Sequence, residues 1–172
     1  MLVLLLACVR SNYEIFSYIV RGALRHRDNM GNVETLPRGF VQFTSAGTGI
    51  VHSEFNASDK QGDYVHFIQM WVKPSRHGLR PNYQTKSWTD ADKQGQLRLI
   101  LAPTESKEGQ AGSAIAINQD VRVYASLLKN GESATLDVGD DREVYVHVIM
   151  DTTSYDTEAD KTGASPLCFL CS

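Results

Sequence analysis

His52 and Glu54 stand one residue apart, directly after the glycine-rich turn Ala46-Gly-Thr-Gly49. On an extended strand, side chains two apart project to the same face, so an imidazole and a carboxylate would point together while Ser53 turns away. Such a pair is half of a metal site, because imidazole nitrogen and carboxylate oxygen are ordinary donors to first-row metals. The same two residues also fit a surface strand with a polar face, and a pair motif alone does not separate the readings.

The elements that must position this pair read as short strands. Tyr13–Val20 is rich in aromatic and β-branched residues and is punctuated by Arg21-Gly22. Ala23–Asp28 alternates weakly and runs into Asn29-Met-Gly31-Asn32, a turn able to take positive φ. Here His26, set among charges, reads as a solvated residue. Val33–Leu36 is a further strand, Pro37-Arg-Gly39 ends it, and Phe40–Phe43 begins the next. Short strands at close spacing with glycine turns are the signature of a sandwich or barrel.

Downstream, Asn56–Asp63 is a polar loop and Tyr64–Val72 a strongly apolar strand. Its His66 shares a face with Tyr64, Ile68 and Met70 and reads as a hydrogen-bonded core or pocket-edge histidine. His77, beside Gly78, belongs to an exposed loop. Tyr83–Lys93, with Trp88 among polar residues, reads as the connection to the second half. That half predicts strands at Leu97–Leu101, Ala114–Ile117 and Val121–Leu128, the first followed by a loop through Gly112. Asn130-Gly131 predicts a hairpin turn from which Ala134–Val138 returns. Glu143, Tyr145 and His147 share one face of a last strand, and no glycine-turn histidine motif accompanies them. Beyond Met150 the chain is polar to Gly163 and ends in a short cysteine-containing tail.

Composition narrows the class. The 172 residues, 42% hydrophobic and 22% charged with a formal net charge of −3, describe one soluble globular domain or two small ones. No basic excess points to direct nucleic-acid binding. The apolar run Met1–Ala7 falls short of a bilayer span and lacks a basic n-region, so it predicts no membrane anchor. It fits a buried strand or a mis-assigned first exon better than a secretion signal. Cys8, Cys168 and Cys171 form no disulfide framework, and the C-x-x-C pair has no second pair to complete a zinc site. A reducing compartment follows.

Several motifs then recur in order: Glu14–Gly22, His26-Arg-Asp28-Asn-Met-Gly31-Asn32, Gly39-Phe-Val-Gln42, Ala46–Glu54, Val65–Val72 and Pro81-Asn-Tyr83-Gln84. Together they resemble the pirin family of cupins, with weaker likeness at Leu97–Ala102, Ile117–Ala125 and Tyr145–Val148. The resemblance covers most of residues 13–150. It implies an all-β fold of cupin jelly-roll barrels: an incomplete N-terminal barrel over 12–90 and part of a C-terminal one over 91–150. Residues 1–11 and 151–172 are then divergent ends, and the chain is expected to be truncated at both.

The resemblance also implies one non-haem Fe(II) held by three histidines and a glutamate, with His52 and Glu54 as two of the ligands. The family's first motif, His-Pro-His-Arg, falls where this chain has Cys8-Val-Arg10-Ser11. Both of its histidines are replaced, by Cys8 and Arg10; an arginine cannot coordinate and adds positive charge where the cation would sit. Loss of tight iron binding is expected. Two functional readings follow from the resemblance. One is a quercetin 2,3-dioxygenase-like enzyme acting on a small aromatic flavonol. The other is a non-catalytic binding module that meets a transcription-factor partner as a co-regulator, in the cytoplasm, the nucleus or both.

Overall fold

A computed structural model describes residues 8–60, 62–149 and 167–171. The chain divides into two compact units, Met1–Trp88 and Thr89–Ser172.

Among the described residues, eight strands build the first unit: β1 (Cys8–Arg10), β2 (Glu14–Arg21), β3 (Ala23–Asp28), β4 (Val33–Pro37), β5 (Phe40–Ser45), β6 (Ile50–Asn56), β7 (His66–Val72) and β8 (Asn82–Ser87). They form two antiparallel sheets, ordered β1-β6-β3-β4 and β7-β2-β5-β8. Side chains from the two sheets meet inside. One end of this interior is apolar: Ile19, Leu24 and Leu36 are buried together, with Phe40, Val65 and Phe67 against them. Period-two alternation then carries polar residues onto the same inner face above that floor. Along β3, Leu24, His26 and Asp28 are buried while Arg25 and Arg27 are exposed. Along β6, Ile50, His52 and Glu54 are buried.

The glycine-rich turn before β6 is held by close backbone contact. Gly47 adopts φ +48°, and a Cβ there would overlap the carbonyl of Leu79. Thr48 N–H donates to that same carbonyl at 3.0 Å. Only glycine combines this φ with so close an approach. The turn thereby starts β6 in the register that buries His52 and Glu54 rather than exposing them.

Two sequence expectations change here. Tyr83 lies on the strand β8, not in a connection. His26, expected in solvent, is completely buried; its charged neighbours Arg25 and Arg27 alternate outward and leave it on the inner face.

In the second unit, β9 (Arg98–Pro103), β10 (Ile115–Ile117), β11 (Val123–Leu127), β12 (Tyr145–Ile149) and β13 (Leu167–Cys171) form one sheet, ordered β10-β9-β11-β13-β12. The β9–β10 pair is parallel and encloses the short helix α1 (Lys107–Gln110), capped by the Ser106 hydroxyl. The sequence predicts only loop over this stretch. The turn at Asn130-Gly131 forms, with Glu132 N–H donating to the Lys129 carbonyl, yet Ala134–Val138 does not return as a strand. The partners of β11 are β9 and β13. The Cys168 and Cys171 positions thus lie on a strand, while the polar stretch after Met150 falls outside the described residues.

Candidate functional site

The interior of the first unit gathers two short motifs of one design. His26-x-Asp28 on β3 and His52-x-Glu54 on β6 run antiparallel, and their register sets His26 opposite Glu54 and Asp28 opposite His52. Each histidine therefore lies beside the other motif's carboxylate. The two imidazole centroids are 5.7 Å apart. On the other flank of β3, His26 pairs with Glu34 of β4.

The facing sheet completes the enclosure. Gln69, Ser17 and Gln42 form one row across β7, β2 and β5. From this row Gln42 Nε2 donates to Glu54 Oε1 at 2.6 Å and Gln69 Nε2 to Glu54 Oε2 at 3.2 Å. Gln69 Nε2 also reaches the Ser17 hydroxyl at 3.1 Å, while Gln69 Oε1 accepts from the indole of Trp71 at 3.1 Å. An indole N–H only donates, so it fixes which end of the Gln69 amide faces Glu54. From β8, the Tyr83 ring stacks on His26 with centroids 4.5 Å apart, and its hydroxyl donates to Glu34 Oε2 at 3.2 Å.

Asp28 is the other fixed point. Its Oδ1 accepts from the N–H groups of Met30 (2.9 Å) and Asn32 (3.0 Å), and its Oδ2 accepts from Asn32 Nδ2 (2.7 Å). Oδ2 also lies 3.1 Å from His26 Nε2. Burial pushes the Asp28 carboxyl up, but these hydrogen bonds outweigh it and hold the group below the usual aspartate range. An ionised Asp28 only accepts, so Nε2 carries the His26 proton and Nδ1 is the acceptor of the neutral ring. Among the described residues that Nδ1 is buried without a hydrogen-bond partner. Tyr83 is displaced the opposite way: burial, then the charge and hydrogen bond of Glu34, then the charges of Asp28 and Glu54 raise its hydroxyl far above the ordinary tyrosine value.

Of the residues singled out in the sequence, His52 and Glu54 are 7% and 4% exposed and share the inner face, so the pair does not belong to a solvated strand. In the register of the ladder Cys8 stands opposite His52 and Arg10 opposite Ile50. His66 stands on the face of β7 opposite to Gln69, and His77 is exposed. His147 belongs to the second unit, where it stacks on Tyr145. Gln42, Gln69, Asp28, Glu34 and Tyr83 went unnoticed as site residues. For the first two the signal was there, in a lone amide within each of two apolar strands.

A metal needs enough converging donors, and here they fall short. Among the described residues no three His, Cys, Asp or Glu side chains form a group that could hold an ion. The carboxylate of Glu54 is engaged at both oxygens by amide N–H groups. The described donor set therefore does not fit a tightly held iron.

Comparison with known proteins adds the lineage. The Pirin family profile matches residues 9–72, and the profile of the quercetinase C-terminal cupin domain matches residues 104–163. A quercetin 2,3-dioxygenase of Escherichia coli strain K12 is 33% identical over 136 residues, covering 79% of this chain and 54% of that protein. A pirin-like protein of Caulobacter vibrioides is 35% identical over 136 residues, covering 79% and 56%. The chain thus spans about half the length of the curated relatives it matches. Among solved structures, the Escherichia coli pirin YhhW in complex with nickel(II) superposes with a TM-score of 0.70 at 26% identity, covering 95% of this chain and 68% of that one. With both profiles falling in chain order on the all-β architecture described above, the chain belongs to the pirin family of cupin proteins.

Proposed function

We propose that the N-terminal barrel of this chain binds a small planar aromatic molecule, of the flavonol class for which several relatives are named, without opening its ring. Iron-dependent dioxygenation of quercetin is the activity that the family resemblance implies. It requires a metal that keeps several protein ligands and an open position for substrate or oxygen. The observation that carries the reading is the ligand count: His52 and Glu54 occupy two family ligand positions, and Cys8 and Arg10 replace the first-motif histidines. What supports an aromatic guest is the make-up of this interior, where Tyr83 is stacked on His26 beside the fixed polar groups Gln42, Glu54 and Glu34. Such a mixture of aromatic and convergent polar groups is typical of small-molecule sites. Nothing in this geometry favours the transcription-factor partner or the nuclear location.

Three measurements on the purified full chain test this reading. After anaerobic loading with Fe(II) and gel filtration, the expected iron content is well below one per chain. Oxygen uptake with quercetin should not exceed that of the same free iron in buffer. Quercetin should quench tryptophan fluorescence saturably. One tightly held iron per chain together with quercetin-dependent oxygen uptake would replace this reading by the dioxygenase one.

A further inference from the structure

The two glutamines facing Glu54 carry a consequence for the metal position itself. A carboxylate offers lone pairs, and what it needs in a buried site is either a cation or hydrogen-bond donors. Here the donors are built in. Gln42, 3% exposed on β5, and Gln69 on β7 reach Glu54 from two strands of the facing sheet, one to each oxygen. The Gln69 amide is oriented by Trp71 and Ser17. Among the described residues the Gln42 amide is oriented by Glu54, and its Oε1 is buried without a hydrogen-bond partner. That unmatched oxygen is a cost accepted only if the N–H group is needed where it points.

We propose that Gln42 and Gln69 form an amide clamp that holds Glu54 as a hydrogen-bonded carboxylate in place of a metal ligand, keeping the barrel interior ordered without an ion. Both glutamines are positioning residues. The inference rests on the ligand-poor reading above and deepens it: the amides supply the compensation that a cation would give, so metal entry at Glu54 competes with them.

A swap and a titration test it on the full chain. Glu54→Gln sets amide against amide, and Gln42→Glu sets carboxylate against carboxylate; the double variant restores a donor–acceptor pair with reversed polarity. In urea unfolding, the double variant is expected to exceed the additive sum of the singles by about tenfold or more in the folding constant, a coupling typical of residues in one buried network. Additivity overturns the clamp. Gln42→Glu also places a second carboxylate beside Glu54, so it should bind Co(II) about tenfold or more tightly than the unaltered chain and gain thermal stability from it. The visible cobalt spectrum separates ligation from a merely structural effect. If Gln42→Glu does not fold even with Co(II), Gln69→Glu makes the same test from the other strand, and failure of both to gain Co(II) affinity overturns the proposal. Tight stoichiometric Co(II) binding by the unaltered chain would instead sink the ligand-poor reading. Weak binding by every variant with an additive cycle sinks the clamp alone.

Discussion

Asp28 illustrates how much of this site hangs on single carboxylates. It accepts from two backbone N–H groups, from Asn32 Nδ2 and from His26 Nε2, which no neutral side chain can match. Replacing it by asparagine should cost about 2–3 kcal/mol in urea unfolding at neutral pH, since buried donors lose a charged acceptor. Its pH dependence follows from the depressed folded-state value. The stabilisation is fully present above the unfolded aspartate pKa, near ~3.9, and is lost as pH falls through the lower folded value. Unfolding midpoints measured from pH 6 to pH 2 should therefore drop less steeply for Asp28→Asn than for the parent. Tyr83 works at the other end of the scale. Its folded-state hydroxyl is held protonated, so above the ordinary tyrosine pKa of about 10 the unfolded chain ionises while the folded one does not. Stability should then decline as pH rises past that point, and Tyr83→Phe should flatten the decline; equal alkaline slopes would refute the assignment.

At the level of strands, the register does the positioning, and two sites test it. Gly47→Ala must combine a left-handed backbone with overlap on the Leu79 carbonyl, so a loss of about 2 kcal/mol or more is expected. Quercetin quenching should weaken with it, because β6 carries His52 and Glu54. Leu36→Ala hollows the apolar floor under the polar rows and should cost about 2–5 kcal/mol. In the first unit β3 and β6 were legible by their alternation, and β2, β5 and β7 by their aromatic and β-branched content between turn residues. The exception is β8, none of whose residues is buried and most of which are polar, so no apolar face marks it. The second unit was less legible for a topological reason. An Asn-Gly turn predicts a local partner for β11, whereas its actual neighbours are β9 and β13, reached only over long sequence separations. Local turn chemistry carries no information about such pairing.

Across the whole molecule, the site is the part that sequence patterns describe least completely. His52-x-Glu54 stood out because both residues are recognisable metal donors. The residues that now occupy Glu54 are two glutamines that sequence reading passes over, since only the meeting of opposite sheets turns them into a pair of donors. The same meeting makes the ligand-poor reading open to a direct gain-of-function experiment. Residues 8 and 10 lie on β1, paired antiparallel with the strand that carries His52 and Glu54. They match the positions of the first-motif histidines in the family pattern. If ligand count is what this chain lacks, Cys8→His combined with Arg10→His supplies two imidazoles and removes a repelling guanidinium. The double variant should retain about one Ni(II) per chain after dialysis against buffer, with a thermal stabilisation that grows with nickel concentration as binding to the folded state requires. Arg10→His alone should retain less, having three donors at most besides an unaltered Cys8. Should the double variant hold no more nickel than the parent, the missing histidines are not the reason, and the grip of Gln42 and Gln69 on Glu54 becomes the stronger barrier to the ion.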